Sequence, residues 1–514
     1  MPGTFTTRKR TSFAAATLLM ALIFSERASA TSLAAATQAP AVLADQSVSV
    51  PLTTHATIPS GQSARILSLS TSGTHGTVTE LNDTTVTYAP GSYYASLAKG
   101  ASGSDAFSYC LTDTAGSVSC STVTVTIFGT AAAAAAAPAA SYSCARNWYV
   151  AQNGSDTAGG TTASTPWRTL QHANDSDLLR AGDCVNVAPG TYLVTNTIYL
   201  NHGGSANTTT GYVVYRSTTQ HGAKIQAAAT GIQDVMAAQA NYLIVDGFEI
   251  DGGNAGLVST PFTYGSGLAG YGHHFQALNN LVHDCGGEGV GAIYKDWYWI
   301  VGNTTYGNAH FNGGHMSGIS IYEPRAVSFT ATSADTSATY HIIIKGNVSY
   351  DNAETYVAGA HTDGNGIILD DFQNTQSGDA AYPYKSLVED NTAHGNGARG
   401  IHLFYTDNVT VTGNVAYDNN QDLAIAGTRR GELSNAFGSN NSWTSNQAAA
   451  TSVATDERKY NTAVLDGHAG TATVNVTWSG NANFDTRTGG KSYQIDNPTR
   501  AAAFPTANPL GKAL

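Results

Sequence analysis

A short asparagine-containing motif returns five times in the C-terminal half of this chain. Its copies read NNLVHD, GNTTYGN, GNVSYDN, DNTAHGN and GNVAYDN, and the asparagines that precede the strands are Asn280, Asn303, Asn347, Asn391 and Asn414. The intervals between them are 23, 44, 44 and 23 residues, which are close to multiples of about 22. Internal repetition with such a period predicts a solenoid.

A second short apolar strand follows within each repeat. It reads GISIYE from Gly318, GIILDD from Gly366, GIHLFY from Gly400 and DLAIAG from Asp422. Short β runs, asparagines at the turns and the lack of a helical period indicate a right-handed parallel β-helix, whose rungs stack at about 4.8 Å. Asparagines aligned in such turns are expected to form ladders. We therefore predict an all-β chain with a β-helix over residues 142–500.

The N-terminus has the pattern of an export signal. Arg8, Lys9 and Arg10 precede the apolar segment FAAATLLMALIF, and SERASA ends at Ala30 with small residues at the −3 and −1 positions. This pattern predicts a signal peptide over 1–30 and a secreted protein, either extracellular or periplasmic. No other run reaches the roughly 18 apolar residues of a membrane span, so we expect no membrane partner after cleavage.

Residues 41–129 alternate in the manner of β-strands and predict a small β-sandwich, which an Ala-rich linker at 130–141 connects to the solenoid. Export permits disulfides. The spacing of the five cysteines favours a bond across a hairpin, Cys110 to Cys120, and a second bond from Cys144 to Cys184. Cys285 is then expected to be a buried free thiol.

Charge is scarce in this chain. Charged residues make up 12% of it, the net charge is −12, and the basic residues are scattered. This composition argues against nucleic acid or an anionic membrane as a partner. An acidic polymer would need local help from cations or a metal ion. We expect the chain to act as a monomer.

Three carboxylates nevertheless crowd into GAHTDGNGIILDDFQN, residues 359–374. Strand alternation turns Ile367 and Leu369 inward and the residues between them outward. The outward columns are then Ser320, Ile368, His402 and Ala424; Tyr322, Asp370, Phe404 and Ala426; and, one residue further on, Glu323, Asp371 and Tyr405. Loops leave the stack at Glu323 and Asp371, and another insertion carries Asp363. Loops on both sides of one strand face predict a walled groove.

Glu323, Asp363, Asp370 and Asp371 are predicted to hold a hard cation such as Ca²⁺, which takes about six to eight oxygen ligands. The cation would let an acidic protein bind an acidic polysaccharide. It would also acidify the proton alpha to a uronate carboxylate and allow β-elimination. The alternative for these aspartates is turn capping, in which they only bind backbone groups.

The segment NWYVAQNGSDTAGGTTASTPWRTLQHA…LRAGDCVNVAPGTY, with the asparagine rungs up to about residue 450, resembles the pectin-lyase-like superfamily of right-handed parallel β-helices. That superfamily includes pectate lyases, polygalacturonases, alginate epimerases, phage tailspikes and adhesins, so the resemblance implies a fold and leaves the reaction open. The pattern HGTV…TVTYAP…STVTVTI resembles bacterial cadherin-like or Ig-like modules, which are usually spacers or adhesive units.

The rung pattern is similar to that of family 9 pectate lyases, which use a lysine base beside a calcium ion held by aspartates. The resemblance implies Asp370 and Asp371 for the aspartates and His402, in GIHL, for the base. A histidine stands here where the family has lysine, and the full set of calcium aspartates is not matched. Histidine can act as a base near neutral pH, and Arg399 is placed to bind a substrate carboxylate bidentately. Further substrate contacts are predicted for Tyr322, Phe404, Tyr405, Arg325, Arg429 and Arg430.

We therefore predict a calcium-assisted polysaccharide lyase and retain two alternatives. HTDGNGI followed by the DD pair is similar to acidic elements of polygalacturonases, which are inverting hydrolases with paired acids, although their G-H-G and R-I-K elements are missing. The chain could also be a non-catalytic adhesin or glycan-binding protein with Trp297, Tyr298 and Trp299 as a sugar platform. His283 and His394 share a column with Tyr306, Tyr350 and Tyr417 and are expected to be structural stacking residues.

Overall fold

The computed structural model of this protein describes residues 32–44, 47–54, 56–95, 97, 102–129, 142–206, 211–253, 265–310, 315–354, 361–422, 430–450, 461–467, 474–485 and 493–495. The predicted signal peptide lies outside the described residues, and so does the predicted linker. Two short helices, α1 (Leu170–Asp175) and α2 (Ser333–Ser337), accompany the strands. In the described part of the chain, no helix is long and apolar enough to cross a membrane.

The N-terminal module is a sandwich of two sheets, as predicted. The four-stranded sheet has the order β1-β7-β6-β3, the three-stranded sheet has the order β2-β5-β4, and one apolar cluster lies between them. Cys110 lies opposite Cys120 in the hairpin of β6 and β7, and the predicted disulfide is confirmed. The strands are β1 (Ala41–Leu43), β2 (Val48–Pro51), β3 (Ala64–Ser70), β4 (Thr77–Asn82), β5 (Thr85–Ala89), β6 (Ser102–Asp113) and β7 (Val118–Phe128).

The remaining strands form three long parallel sheets, and this confirms the right-handed parallel β-helix. Each complete rung contributes one strand to each sheet. The first sheet contains β8 (Arg146–Val150), β9 (Asp183–Val187), β12 (Val213–Ser217), β15 (Leu243–Asp246), β18 (Phe275–Leu278), β21 (Tyr298–Val301), β24 (Ile342–Lys345), β27 (Ser386–Glu389), β30 (Val409–Thr412), β33 (Ser442–Thr444) and β36 (Thr477–Ser479).

The second sheet contains β10 (Gly190–Val194), β13 (Ala223–Ala227), β16 (Glu249–Asp251), β19 (Leu281–His283), β22 (Thr304–Tyr306), β25 (Val348–Tyr350), β28 (Thr392–His394), β31 (Val415–Tyr417), β34 (Gln447–Ala450) and β37 (Ala482–Asp485). The third sheet contains β11 (Ile198–Leu200), β14 (Asp234–Ala238), β17 (Ser266–Gly270), β20 (Val290–Ile293), β23 (Ile319–Tyr322), β26 (Ile367–Asp370), β29 (Ile401–Phe404), β32 (Arg430–Ala436), β35 (Asn461–Asp466) and β38 (Tyr493–Ile495).

The predicted asparagine ladder is confirmed at the turn between the first and second sheets. The Asn347 amide donates to Asn391 Oδ1 at 2.9 Å and to the Ile300 carbonyl at 2.8 Å, and its own Oδ1 accepts from the Asn303 backbone N–H at 2.9 Å. These bonds satisfy buried backbone groups that the turn would otherwise leave unpaired. The same pattern links the remaining members, which are Asn280, Asn414, Asn446 and Asn481.

The stacking predicted for His283 and His394 is also confirmed. His283 stacks on Tyr306 with ring centroids 4.8 Å apart, and His394 lies between Tyr350 at 5.0 Å and Tyr417 at 4.9 Å. The second predicted disulfide, Cys144 to Cys184, is formed, and Cys285 is a buried free thiol.

The strand phase predicted for three rungs of the third sheet is confirmed, and the prediction for the fourth rung is wrong. Ile367 pairs with Ile319 and Ile401 in one buried inward column. The next partner of Ile401 is Leu433 in β32, and not Leu423 as predicted. Residues 423–429, which include most of the DLAIAG run, lie outside the described residues. A short apolar alternation resembles a rung, but sequence periodicity does not show which run pairs.

Candidate functional site

A groove of about 1010 Å³ lies over the outward face of the third sheet. Its floor comes from strands β17, β20, β23, β26 and β29, and the segments that precede β23 and β26 contribute His315 and Asp363 to its walls. The groove predicted from the loop insertions is therefore present in the structure.

In five successive rungs, one polar residue lies immediately before the glycine at the start of the third-sheet strand. Successive rungs are joined there by backbone hydrogen bonds, such as Gly318 N–H to the Asn365 carbonyl and Gly366 N–H to the Arg399 carbonyl, both at 2.9 Å. We call this set the polar column; its members are Ser266, Glu288, Ser317, Asn365 and Arg399.

Glycine is required next to the polar column because the rungs pack closely at that point. A Cβ atom at Gly366 would lie 2.7 Å from the Gly400 carbonyl oxygen and 2.8 Å from the Asn396 amide. Asn396 belongs to a second asparagine ladder, in which its amide donates to Asn419 Oδ1 at 2.7 Å. The packing at the glycine therefore ties the polar column to the interior of the solenoid.

Arg399 brings a positive charge into the groove. Its Nη1 donates to the Thr362 carbonyl at 2.8 Å, its Nε is buried without a hydrogen-bond partner, and its backbone N–H donates to Asn365 Oδ1 at 3.1 Å. No acidic side chain among the described residues forms a salt bridge with it. Burial lowers the pKa of Arg399, but a guanidinium remains charged in proteins. The groove thus presents a cation that can bind an anionic ligand.

His402 lies on the outward face of β29, between Ile368 and Ser434 of the neighbouring strands. Its side chain lines the groove, only 4% of the residue is exposed, and Nδ1 has no hydrogen-bond partner. Burial, and after it the charge of Arg399, lower the pKa of His402 to about 3. The imidazole is therefore neutral at pH 7.

Asp370 and Asp363 line the groove with pKa values shifted in opposite directions. Burial, followed by the charges of Asp363 and Asp371, raises the pKa of Asp370 well above its ordinary value, and Asp370 Oδ1 is buried without a partner. Burial also acts to raise the pKa of Asp363, but a hydrogen bond from His315 and the charge of Arg399 outweigh it and hold that pKa below its ordinary value. Two carboxyl groups whose surroundings push their pKa values apart are the arrangement of an acid and a base.

His315 is the second histidine of the groove. Its Nδ1 lies 2.6 Å from Thr362 Oγ1 and 3.4 Å from Asp363 Oδ2. The hydrogen bond with Asp363 raises the pKa of His315 above its ordinary value.

The other two predicted metal ligands are bound inside the loops. The carboxylate of Asp371, which is fully buried, accepts hydrogen bonds from Thr375 N–H at 2.9 Å and Gln376 N–H at 2.8 Å. Glu323 is also buried and accepts a hydrogen bond from Ser377 N–H at 2.8 Å. Neither side chain is part of the groove lining. Asp370 and Asp371 therefore do not face solvent as a pair.

The predicted calcium ligands are consequently not assembled into one site. Within the described residues, the acidic and histidine side chains whose ligand atoms converge within 4.8 Å are Asp251, His283 and Asp284, in the second sheet. Lys224 already pairs with Asp251 at 2.7 Å there. Calcium needs about six to eight oxygen ligands, and the predicted set does not fit it.

The predicted substrate contacts divide into two groups. Tyr322, Phe404 and Tyr405 line the groove, and the Tyr405 ring is stacked on Phe437 at 4.2 Å. Of the three arginines predicted as further substrate contacts, none lines the groove within the described residues. Arg325 pairs with Asp379 at 2.8 Å outside the groove, Arg430 is 1% exposed, and Arg429 lies outside the described residues.

The sequence analysis missed two acidic residues close to the site. Glu288 belongs to the polar column, and its GEGV segment matches the pattern of SGI, NGI and RGI in later rungs, so aligning Gly289 with Gly318 would have revealed it. Glu354 has no such signal. Its buried carboxylate accepts from the backbone N–H groups of Met316 at 3.1 Å, Thr362 at 2.9 Å and Asp363 at 3.1 Å, and so joins the segments that precede β23 and β26.

The solenoid is therefore a right-handed parallel β-helix with a groove that combines an arginine, two histidines and acidic side chains. Residues 29–126 match the family model for a bacterial Ig domain, in agreement with the sandwich and with the predicted module. No curated protein matches the chain.

Several solved structures are similar to the chain in fold. The A-module of the Azotobacter vinelandii mannuronan C-5 epimerase AlgE6 is 15% identical with a TM-score of 0.38, and the similarity covers 63% of this chain and 83% of that one. An alginate lyase from Paenibacillus sp. is 14% identical with a TM-score of 0.34, over 61% and 92% of the two chains. A GH136 lacto-N-biosidase from Eubacterium ramulus is 14% identical with a TM-score of 0.39, over 68% and 65%. Similarity at this level identifies no reaction or substrate.

Proposed function

We propose that this protein is an exported enzyme that cleaves a uronate-containing polysaccharide by β-elimination. The observation that carries the proposal is the presence, in one groove, of an arginine that forms no salt bridge in the described structure and a neutral histidine with an unpaired ring nitrogen. The two disulfides and the bacterial Ig domain agree with an extracellular location.

Arg399 is proposed to bind the carboxylate of the uronate. A guanidinium binds a carboxylate through two parallel hydrogen bonds, and Nε, which has no partner in the free protein, would gain one. Neutralising the carboxylate makes the neighbouring C5 proton more acidic, which is the task that calcium was predicted to perform. Because the predicted calcium ligands are not assembled, the proposed reaction uses Arg399 for this purpose.

His402 is proposed to take the C5 proton. Its pKa of about 3 leaves the ring nitrogen unprotonated and available, although it is a weak base in the free protein. The charge of Arg399 contributes to that low pKa, so a bound carboxylate that pairs with Arg399 raises the pKa of His402 and strengthens the base. Substrate binding would thereby activate the proton acceptor.

Asp370 is proposed to protonate the leaving oxygen. In the elimination the C5–H bond breaks, a double bond forms between C4 and C5, and the C4–O bond to the departing sugar breaks. The departing oxygen then takes a proton from Asp370, whose raised pKa favours the protonated carboxyl that a general acid requires. Tyr322 and Phe404, on the strands adjacent to β26, provide ring faces on either side of Asp370 for the sugar.

The test is a screen of uronate polymers with the wild-type protein, followed by absorbance near the ultraviolet edge, where an unsaturated uronate absorbs. Arg399→Gln and His402→Ala should each abolish the absorbance increase, whereas the matched control Arg168→Gln, an exposed arginine remote from the groove, should retain it. Failure of the wild-type protein to form unsaturated products from any uronate polymer would refute the proposed function.

A second candidate, hydrolysis, is favoured by the opposite pKa shifts of Asp363 and Asp370. An ionised carboxylate can activate water while a protonated one gives its proton to the leaving oxygen, as inverting glycosidases do. The products distinguish the two reactions, because hydrolysis releases reducing ends without the ultraviolet absorbance. Loss of that hydrolysis in Asp363→Asn would assign the base to Asp363 rather than to His402.

A further inference from the structure

The groove is electrostatically asymmetric along the solenoid axis. Arg399 lies at one end of the polar column, and it is the one lysine or arginine among the described residues that line the groove. Glu288 belongs to the same column three rungs away, in the order Glu288, Ser317, Asn365, Arg399. With rungs about 4.8 Å apart, the two side chains begin roughly 14 Å from each other. An extended oligosaccharide that lies along the column would contact both.

The Glu288 end is acidic and has no compensating cation in the described part of the chain. Glu288 Oε2 accepts a hydrogen bond from Ser266 Oγ at 3.0 Å, and no salt bridge to it is formed. Asp234 lies close by, where its Oδ2 accepts from Tyr271 at 2.9 Å while its Oδ1 is buried without a partner. Burial, and after it the charges of Asp234 and Asp363, raise the pKa of Glu288 to about 7.

These contacts determine which sugar the acidic end can accept. Above about pH 7, where Glu288 is ionised, a second uronate at this position would place its carboxylate against that of Glu288, and like charges that are partly desolvated repel each other strongly. Sugar hydroxyls, in contrast, can donate hydrogen bonds to carboxylate oxygens, whatever the charge of the neighbouring groups. Gln233, Ser266 and Tyr271, which line the same end, add polar groups suited to hydroxyls.

We propose that the groove is specific for a heteropolysaccharide, in which the uronate bound at Arg399 is followed along the chain by a sugar without a carboxylate at Glu288. This inference rests on the proposed function, because it assigns the uronate to Arg399. It adds the substrate class, namely a mixed uronate and uncharged-sugar polymer rather than a homopolymer of uronates.

The experiment measures kcat/KM on two polymers for three proteins, namely wild type, Glu288→Gln and the control Glu389→Gln. One polymer is a homouronan, and the other alternates a uronate with an uncharged hexose. Glu389, on β27 of the first sheet, pairs with Lys345 and does not line the groove. Its substitution should therefore leave kcat/KM unchanged on both polymers. In buffer above pH 7, where Glu288 is ionised, the wild-type kcat/KM should be higher on the alternating polymer, and Glu288→Gln should raise kcat/KM on the homouronan about tenfold by removing one like charge.

The inference and the proposed function fail in distinguishable ways. A wild-type preference for the homouronan, or an unchanged ratio of the two kcat/KM values in Glu288→Gln, would overturn the heteropolymer inference while unsaturated products still support the lyase. If neither polymer is cleaved, the proposed function fails, and calorimetry then measures the affinity for the two uncut polymers. Tighter binding of the alternating polymer supports the inference, and tighter binding of the homouronan overturns it. The wild-type comparison remains decisive if Glu288→Gln does not fold.

Discussion

Two adjacent aspartates, Asp370 and Asp371, are expected to respond to substitution in opposite ways. Asp370→Asn keeps the shape of a side chain whose Oδ1 has no partner, so the free energy of unfolding should change by no more than about 0.5 kcal/mol. The amide cannot donate the proton that the proposed elimination needs, so kcat should fall by about 10² to 10⁴.

Asp371→Ala removes the acceptor for the backbone N–H groups of Thr375 and Gln376. A buried donor left without a partner costs about 1–3 kcal/mol. Both residues are exposed, so water can replace part of the loss, and we expect a total of about 2–3 kcal/mol. For a solenoid of this size the melting temperature should fall by about 3–4 °C. Turnover below the melting transition should remain, with an increased KM because Thr375 and Gln376 line the groove.

The assay combines the initial rate of ultraviolet absorbance increase with thermal melting by circular dichroism, measured on wild type and both variants in one buffer. The opposite pattern would refute the assignment of Asp370 to the chemistry and Asp371 to the loop. In that pattern Asp371→Ala abolishes kcat at an unchanged melting temperature, and Asp370→Asn turns over like wild type.

Three further outcomes follow from the structure. Asn347→Ala removes the acceptor of two hydrogen bonds, from the side-chain amide and the backbone N–H of Asn303, and should destabilise the solenoid by about 3–5 kcal/mol. The control Asn153→Ala, at an exposed position, should change the melting temperature little. Equal melting temperatures of the two variants would contradict the role of the ladder. The folded protein binds a proton at Glu288 more tightly than the unfolded chain, because the pKa rises from about 4.5 to about 7, so stability should decline as pH rises through that window. Glu288→Gln should flatten the decline by up to about 3 kcal/mol in urea titrations at several pH values, and an unaltered slope would count against the raised pKa. A chelator should leave the elimination rate unchanged because Arg399 carries the neutralising charge, and a loss that added Ca²⁺ reverses would return calcium to the mechanism.

The fold could be predicted from sequence because its determinants are local and repeated. The asparagine intervals define the rungs, and alternation within a four-residue strand fixes which side chains point inward, as Ile367 and Leu369 show. Alternation fails one residue later. Glu323, Asp371 and Tyr405 all have positive φ angles, 42°, 52° and 44°, so the chain turns sharply where an extended strand was extrapolated. That turn directs the Asp371 carboxylate into its own loop.

The electrostatic state of the site could not be predicted because it depends on tertiary burial. The sequence places His402 on the outward face, which is correct, but the imidazole is almost fully buried, and the charge of Arg399 adds to the effect of burial on its pKa. The same applies to Asp370, whose pKa is raised first by burial, then by Asp363 and Asp371, and also by Glu288 from another rung. Charge coupling across rungs requires the three-dimensional register, which the repeats predict for some rungs and not for the one that begins at Gly289.

The polar column has an evolutionary consequence. Since Ser266, Glu288 and Arg399 each line the groove ahead of a packed glycine, a single codon change in one of these coils can alter one position of the proposed ligand contact while the ladders behind it stay intact. Duplicating a coil would lengthen the recognition surface by one such position. A scaffold of this kind can diversify its preferences stepwise, and its specificity can be reprogrammed in the laboratory by exchanging the residues that precede those glycines.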